Sequence, residues 1–251
     1  MKALLPILAA MSLCLALPAW AQGFDAMTDA ERAAFRAEVR AYLLENPEVL
    51  MEAIAVLEDR EAAATTARDL QLVARYADDL FFADHDLIEG NPDGDITIVE
   101  FLDYRCSFCR RAAPEVSALL ETDPNIRLVV KELPILGEQS VLAARFALSS
   151  RYVIDEAAYS TLHAALISMR ADVSEASLQR LADDLGYDGA AILAGMQDPR
   201  IDVVIEANYA LAQAMQISGT PTFVMGRQLV RGFLPSDAMA ALIAEERAAL
   251  E

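Results

Sequence analysis

The chain is 251 residues long, enough to bury a core without covalent cross-links. Its 39 acidic residues against 20 basic ones give a formal net charge of −19, which repels a phosphate backbone and excludes nucleic acid as a partner. Three cysteines are too few for a disulfide framework, and neither an internal repeat nor a low-complexity tract is evident.

The first segment, MKALLPILAAMSLCLALPAWAQ, has a Lys near its start, an apolar stretch from Ala3 to about Pro18, and Ala19 and Ala21 around Trp20. That is the build of a secretory signal, so residues 1–21 are expected to be cleaved after Ala21 and the remainder exported to the periplasm as a soluble protein. An uncleaved anchor is the lesser reading, because the run is short and broken by Pro6 and Pro18. Cys14 lacks the preceding small residue that a lipid anchor requires. Cleavage discards Cys14 and leaves Cys106 and Cys109 in the mature chain.

Residues 22–94 read as a helical N-terminal arm. Asp29 to about Asp86 contains no glycine and little β-branched clustering. Phe35, Val39, Tyr42 and Leu43 share one helical face, and Asn46-Pro47 reads as the cap and first residue of a second helix. Leu50, Ile54 and Leu57 form a second stripe; Leu70, Val73, Ala77 and Leu80 form a third. Between them DREAAATTARD, Asp59 to Asp69, has no large apolar residue and reads as a joint. Such stripes bury themselves either on the following domain or on another copy of the chain, so a homo-oligomer through the arm is one of two expectations.

Glu89-Gly90-Asn91-Pro92-Asp93-Gly94 is turn chemistry and sets the expected start of an α/β domain, residues 95–251. ITIVEFLDY (Ile96 to Tyr104) predicts a central strand, Cys106 to Leu120 a helix containing Pro114, and IRLVVKELPI (Ile126 to Ile135) a second strand parallel to the first. From about 138 to 216 the pattern is all helix, including a segment capped by Ser174 with Leu178, Leu181 and Leu185 on one face and Gly186 at its end. This is too long for a simple crossover and reads as an inserted helical subdomain. Thr222 to Leu234 supplies two short strands around Gly226-Arg227, and Ser236 opens a terminal helix.

Glu100 shares a strand face with Ile96, Ile98 and Leu102, so burial should raise its pKa unless a Lys or Arg pairs with it. Cys106 falls where the strand gives way to the helix, and backbone N–H groups without intrahelical partners point at it. Arg105, Arg110 and Arg111 would add positive potential if they turn toward the sulfur. Cys109 lies one helical turn later, less exposed. Cys106 is therefore the expected attacking sulfur and Cys109 the resolving one. Structural zinc needs four ligands, and His85 and His163 lack ligand spacing; an iron–sulfur cluster needs cysteines that do not exist. Neither metal nor cofactor is expected. In ISGTPTFVMG, a Pro opening a strand after a glycine turn suggests a cis Thr220-Pro221 bond that leaves backbone groups free to pair with an extended substrate segment.

Strand, CSFC, helical insertion, TPTF and final hairpin together resemble a DsbA-family thiol:disulfide oxidoreductase of the thioredoxin superfamily, over about Asp95 to Glu251. The resemblance implies a thioredoxin-like fold with Cys106 as nucleophile, Cys109 as its resolving partner, Glu100 as the buried acid, and Ser107, Phe108, Thr220 and Pro221 facing the substrate. The DsbA protein itself has Val before the cis proline and Pro-His between its cysteines, where this chain has Thr220 and Ser107-Phe108. The helical extension with its YLLENPEVL stretch is more similar to the suppressor of copper sensitivity protein C group, in which an N-terminal region assembles catalytic domains.

The chemistry so implied is exchange through a mixed disulfide on Cys106, as an isomerase or reductase or as an oxidase. Its substrates would be exported proteins with cysteines, and a membrane redox partner would reset the pair. Glu100 would relay the proton of Cys109. The rival reading is a periplasmic Cu(I)-binding protein that uses reduced Cys106 and Cys109 as soft ligands. A chaperone role for the arm's apolar stripes is compatible with either.

Overall fold

The structure is a computed structural model that describes residues 27–249. The predicted leader, its cleavage site and Cys14 lie outside the described residues.

Thr28 opens α1 (Asp29–Glu45) with a capping box. Its hydroxyl accepts the Glu31 amide at 3.3 Å while the Glu31 carboxylate accepts the Thr28 amide at 2.8 Å, satisfying donors that have no intrahelical acceptor. Asn46 closes α1, and α2 (Glu48–Arg75) starts directly after Pro47. The predicted joint at 59–69 is no break: α2 runs unbroken for 28 residues, because Ala, Arg and Glu sustain a helix without a local apolar stripe. The chain nevertheless divides into two compact units within this helix, after Arg60. In the first unit no described residue of α1 is buried, and Phe35, Val39, Tyr42, Leu44, Leu50, Ile54 and Leu57 are all exposed.

The second unit starts with the last turns of α2, where Asp69 and Val73 are buried, followed by α3 (Ala77–Phe81). Helix stops there, short of the predicted Asp86. The segment read as the start of a turn is instead a strand, β1 (Leu87–Gly90), paired antiparallel with β3 from Leu87↔Val130 to Gly90↔Arg127. Four residues are too few to show an alternating pattern, so this strand is specified by its partner.

The sheet has the order β1-β3-β2-β4-β5. At its centre β2 (Ile96–Leu102) and β3 (Ile126–Glu132) run parallel, in register from Ile96↔Ile126 to Leu102↔Glu132, joined by α4 (Ser107–Thr122). Five helices fill the interval before the next strand: α5 (Glu138–Val153), α6 (Glu156–Ser168), α7 (Glu175–Asp184), α8 (Gly189–Gly195) and α9 (Pro199–Ala214). They are the expected insertion. The Ser174 hydroxyl caps α7 by accepting the Ser177 amide at 3.2 Å. β4 (Thr222–Met225) returns antiparallel to β2 and pairs with β5 (Gln228–Arg231); α10 (Ser236–Ala248) completes the fold. Gly226 turns this hairpin with φ of +59°, and a Cβ there would sit 2.7 Å from Glu246 Oε2, the oxygen that accepts the Arg227 amide at 2.9 Å.

Strand alternation sorts the core into two layers. Ile96, Ile98, Leu102, Leu128 and Val130 pack with Cys109, Ala112, Val116 and Leu119 of α4 and with the inserted helices. Val99, Phe101, Val129 and Val224 pack on the other face with Val73, Leu80, Leu211 and Met215. The result is the expected α/β thioredoxin-like sheet with its helical insertion.

Candidate active site

Cys106 is the N-cap of α4, with extended backbone (φ −71°, ψ 120°). Its amide donates to the Asp103 carbonyl at 3.0 Å, and its own carbonyl accepts the Arg110 amide at 3.1 Å, which starts the helix. Both cysteines are free thiols. The Cys109 thiol donates to the Cys106 sulfur and, with the Thr220 side chain and the backbone N–H groups of Cys109 and Phe108, draws the Cys106 pKa from 9.0 down to about 5 against an opposing contribution from burial. Cys109 responds in the opposite direction. Its bond to Cys106 pushes its pKa far up, with complete burial and the nearby Glu100 carboxyl adding to the effect. One sulfur is held ionised and the other is held protonated.

The Thr220–Pro221 peptide bond is cis, and the Thr220 carbonyl accepts from the Cys106 thiol at 3.1 Å. That contact belongs to the protonated thiol. Once Cys106 ionises, the Thr220 hydroxyl, buried and without another hydrogen-bond partner, is the donor on that side. Cys106 keeps 7% of its surface accessible, and Phe108, between the cysteines, is 51% exposed.

The arginines expected to supply positive potential do other work. Arg105 turns to the Ala171 carbonyl at 3.1 Å and to Asp172 at 3.6 Å. Arg111 lies between the rings of Phe108 and Phe233, 5.5 and 4.6 Å from their centroids, holding the aromatic residue of the CxxC by cation–π contact. Arg110 lines a cavity of about 440 Å³ together with Glu100, Glu89 and His163.

Glu100 is buried as expected, and its charge is felt at Cys109. Burial, reinforced by the charge of Glu89, raises its pKa from 4.5 to about 8, and among the described residues no Lys or Arg pairs with it. Sequence reasoning missed a second acid on the same face. The Glu132 carboxyl, raised to about 8 by burial, accepts the hydroxyls of Tyr104 at 2.6 Å and Tyr159 at 3.1 Å. The Tyr104 oxygen is left to accept from His163 Nδ1 at 3.0 Å. A glutamate inside the apolar run IRLVVKELPI was the available signal, of the same kind that singled out Glu100.

A thiolate available at neutral pH with a protonated thiol directly behind it is the equipment of thiol–disulfide exchange, so the fold and site define a thiol–disulfide oxidoreductase. The chain belongs to the DSBA-like thioredoxin domain family, whose pattern it matches over residues 97–244. Residues 31–64 separately match the copper resistance protein ScsC N-terminal domain. A thioredoxin-like oxidoreductase from Silicibacter pomeroyi DSS-3 is 40% identical, with a TM-score of 0.65 over 68% of this chain and 97% of that one. Salmonella enterica Typhimurium BcfH superposes with a TM-score of 0.72 at 27% identity, covering 87% of this chain and 96% of that one. Proteus mirabilis ScsC in a transitional conformation is 27% identical over 90% of this chain and 99% of that one, with a TM-score of 0.65. Among curated proteins, the Na(+)/H(+) antiporter NhaA 1 of Salinispora arenicola is 29% identical over 160 residues, which are 64% of this chain and 24% of that protein. The chain thus spans about a quarter of the length of that curated relative. No described helix is long and apolar enough to cross a membrane.

Proposed function

We propose that the protein works in the periplasm, after removal of residues 1–21, as a thiol:disulfide oxidoreductase that rearranges or reduces wrong disulfides in exported proteins. The observation that carries this reading is the split between the two sulfurs: Cys106 is drawn down to about 5 while Cys109 is held protonated. The Cys106 thiolate attacks one sulfur of a substrate disulfide, forms the mixed disulfide, and expels the other substrate sulfur as a thiolate. In isomerisation a substrate thiolate attacks the substrate sulfur of that mixed disulfide and regenerates the Cys106 thiolate, with no net electron transfer. In reduction Cys109 gives up its proton and attacks Cys106, releasing the substrate thiolate and leaving the Cys106–Cys109 disulfide. A membrane redox partner then returns two electrons.

Glu100 takes the Cys109 proton in that second route. Its carboxyl titrates near 8 and borders a cavity, so it exchanges protons close to working pH. Ser107, Phe108, Thr220 and Pro221 form the surface met by the substrate segment, with backbone next to the cis bond available to an extended chain.

The N-terminal arm brings catalytic domains together in a homo-oligomer. Its support is the run of exposed apolar side chains from Phe35 to Leu57 and the match of residues 31–64 to an ScsC N-terminal domain. The test compares the mature protein with a form starting at Glu61, since Val73, Leu80 and β1 belong to the catalytic unit. The longer form should scatter light as an oligomer and reactivate a scrambled disulfide protein. The shorter form should be a monomer that exchanges with glutathione but does not reactivate. A full-length monomer that only oxidises reduced substrates would show the pair running as an oxidase, a direction the low Cys106 pKa also permits. Tight binding of one Cu(I) by reduced Cys106 and Cys109 without turnover would favour a metal carrier.

A further inference from the structure

Glu132 is almost wholly buried, yet neither attack by Cys106 nor closure by Cys109 calls on it. In the register of β2 and β3, Glu132 pairs with Leu102 and Glu100 pairs with Val130, so the two acids stand on one face of the sheet, on neighbouring strands. Glu132 Oε1 accepts the Tyr104 hydroxyl at 2.6 Å and the Tyr159 hydroxyl at 3.1 Å, while Oε2 is buried without a hydrogen-bond partner. Because the Tyr104 hydrogen is spent on Glu132, its oxygen accepts from His163 Nδ1–H at 3.0 Å. Burial keeps the His163 pKa below its usual range, so the ring is neutral and Nε2 is left as an acceptor. His163 lines the cavity of about 440 Å³ that Glu100 also lines, a space polar and roomy enough for water. The same heavy atoms carry this chain in either direction. A proton reaching Nε2 moves each hydrogen along by one bond: the Nδ1 hydrogen passes to the Tyr104 oxygen, and the Tyr104 hydrogen passes to Glu132 Oε1. Glu132 then donates to Tyr104, and Tyr104 donates to Nδ1.

We propose that Glu132, Tyr104 and His163 form a second proton path of the thiol pair: the chain exchanges protons between Glu132 and Glu100 across the cavity, so that either acid can receive the proton Cys109 gives up as the disulfide closes. Closure needs an ionised carboxyl, and both acids titrate near 8, so at neutral pH each usually holds its proton. An ionised Glu132 takes the Glu100 proton through cavity water, His163 and Tyr104. It leaves Glu100 ionised without waiting for bulk solvent to strip it. Besides Tyr104, the groups facing His163 are Glu89 of β1, Glu100 of β2, and Arg110 and Glu121 of α4, all on the cavity wall. At Glu132 the two tyrosine hydroxyls favour the ionised form, and the charge of Asp103 opposes it. None of the three proposed residues touches substrate, so they act on the proton and leave the attack of Cys106 alone. The inference deepens the proposed exchange and rests on Glu100 as the acid that meets Cys109.

The test mixes reduced mature protein with glutathione disulfide in a rapid-quench apparatus, which separates the second-order attack of Cys106 from the first-order closure of Cys106–Cys109. Tyr104→Phe breaks the chain and should slow closure about tenfold near neutral pH, with attack unchanged. The deficit should vanish toward about pH 9, where hydroxide deprotonates Glu100 directly. Tyr159→Phe removes a donor from the same Glu132 oxygen but leaves the chain whole, and closure should stay near the parent rate. His163→Ala should match Tyr104→Phe, and added imidazole, small enough for the cavity, should restore closure. Parent-like closure in Tyr104→Phe at every pH overturns the path. Equal losses in Tyr104→Phe and Tyr159→Phe, independent of pH, reduce the hydroxyls to a structural role and overturn it too. Should Tyr104→Phe not fold by circular dichroism, His163→Ala decides: a loss that imidazole does not repair counts against the path. Glu100→Gln separates the two readings. If it slows closure while Tyr104→Phe does not, only the second path falls; if it leaves closure unaltered, the Glu100 relay falls and this inference with it. No reaction of the unaltered protein with glutathione disulfide would sink exchange itself.

Discussion

The two faces of the sheet bury ionisable side chains under opposite rules. Away from the cysteines, Lys131 of β3 reaches Asp86 Oδ2 at 2.6 Å, and both side chains are almost completely buried. Burial pushes the Asp86 carboxyl up and the Lys131 ammonium down, and each partner pulls the other back toward its charged form. On the cysteine face, Glu100 and Glu132 have hydroxyls or a cavity beside them and no ion pair among the described residues, and both are carried to about 8. A buried pair locks its charges and serves the fold. An unpaired buried acid keeps a proton that can be released near neutral pH, which is the property a thiol chemistry needs.

The sharpest way to break this contrast is Lys131→Met. It leaves the Asp86 carboxyl buried without its hydrogen-bonded ammonium partner, and the expected cost is roughly 3–5 kcal/mol in urea denaturation. Adding Asp86→Leu should recover most of that loss, because two apolar side chains no longer carry a desolvation penalty. Neither change touches the cysteine face, so exchange with glutathione should persist in the double variant. A Lys131→Met protein as stable as the parent would mean that the pair contributes nothing and that the two faces do not differ as described.

The next effect is in pH. Glu100 titrates near 4.5 when unfolded and near 8 when folded, so between these values the folded state holds a proton that the unfolded state has lost. Stability therefore falls as pH rises through this window, by about 3 kcal/mol at pH 7 for one such carboxyl. Glu132 acts with the same sign. Cys106 acts against them in the reduced protein: its folded pKa near 5 lies below its ordinary 9.0, so its stabilisation is complete above that ordinary value and is lost as pH falls through 5. In the oxidised protein, which lacks the thiolate, Glu100→Gln should remove part of the downward slope between pH 5 and pH 7.5. In the reduced protein the same change should slow closure of the Cys106–Cys109 disulfide and flatten its pH dependence near 8. An unaltered slope and an unaltered closure rate together would refute the raised pKa and the relay.

The places of Cys106, Cys109, Glu100 and Pro221 in the fold were legible because each combined a residue type with a position. Cys106 follows an apolar strand, Glu100 interrupts one, and Pro221 opens one. The parallel β2–α4–β3 unit was legible for the same reason, being long and periodic. What the sequence hid depends on partners distant along the chain. β1 is four residues defined by its pairing with β3, and α2 continues through 59–69 although that stretch shows no stripe. The arginines near the cysteines suggested charge on the sulfur, but where a long side chain turns is set by Asp172, Phe108 and Phe233, which adjacency cannot reveal. Glu132 and Lys131 are neighbours in sequence that face opposite sides of the sheet, so their partners came only with the fold.

The smallest expected effect tests whether burial or pairing sets the worth of a charge. Arg231 of β5 grips Asp69 at the end of α2 with two bonds, 2.7 and 2.9 Å, a tie between residues 162 positions apart. Its geometry is as good as that of Lys131 with Asp86, but the Arg231 side chain is 38% exposed while that of Lys131 is 1% exposed. Water and salt reach the first pair, so Asp69→Ala should cost about 1 kcal/mol or less, and added salt should weaken the parent's advantage. A loss as large as that of Lys131→Met, and indifferent to salt, would place the value of these pairs in their geometry. The unpaired state of Glu100 would then need a different explanation from the burial that separates the two faces.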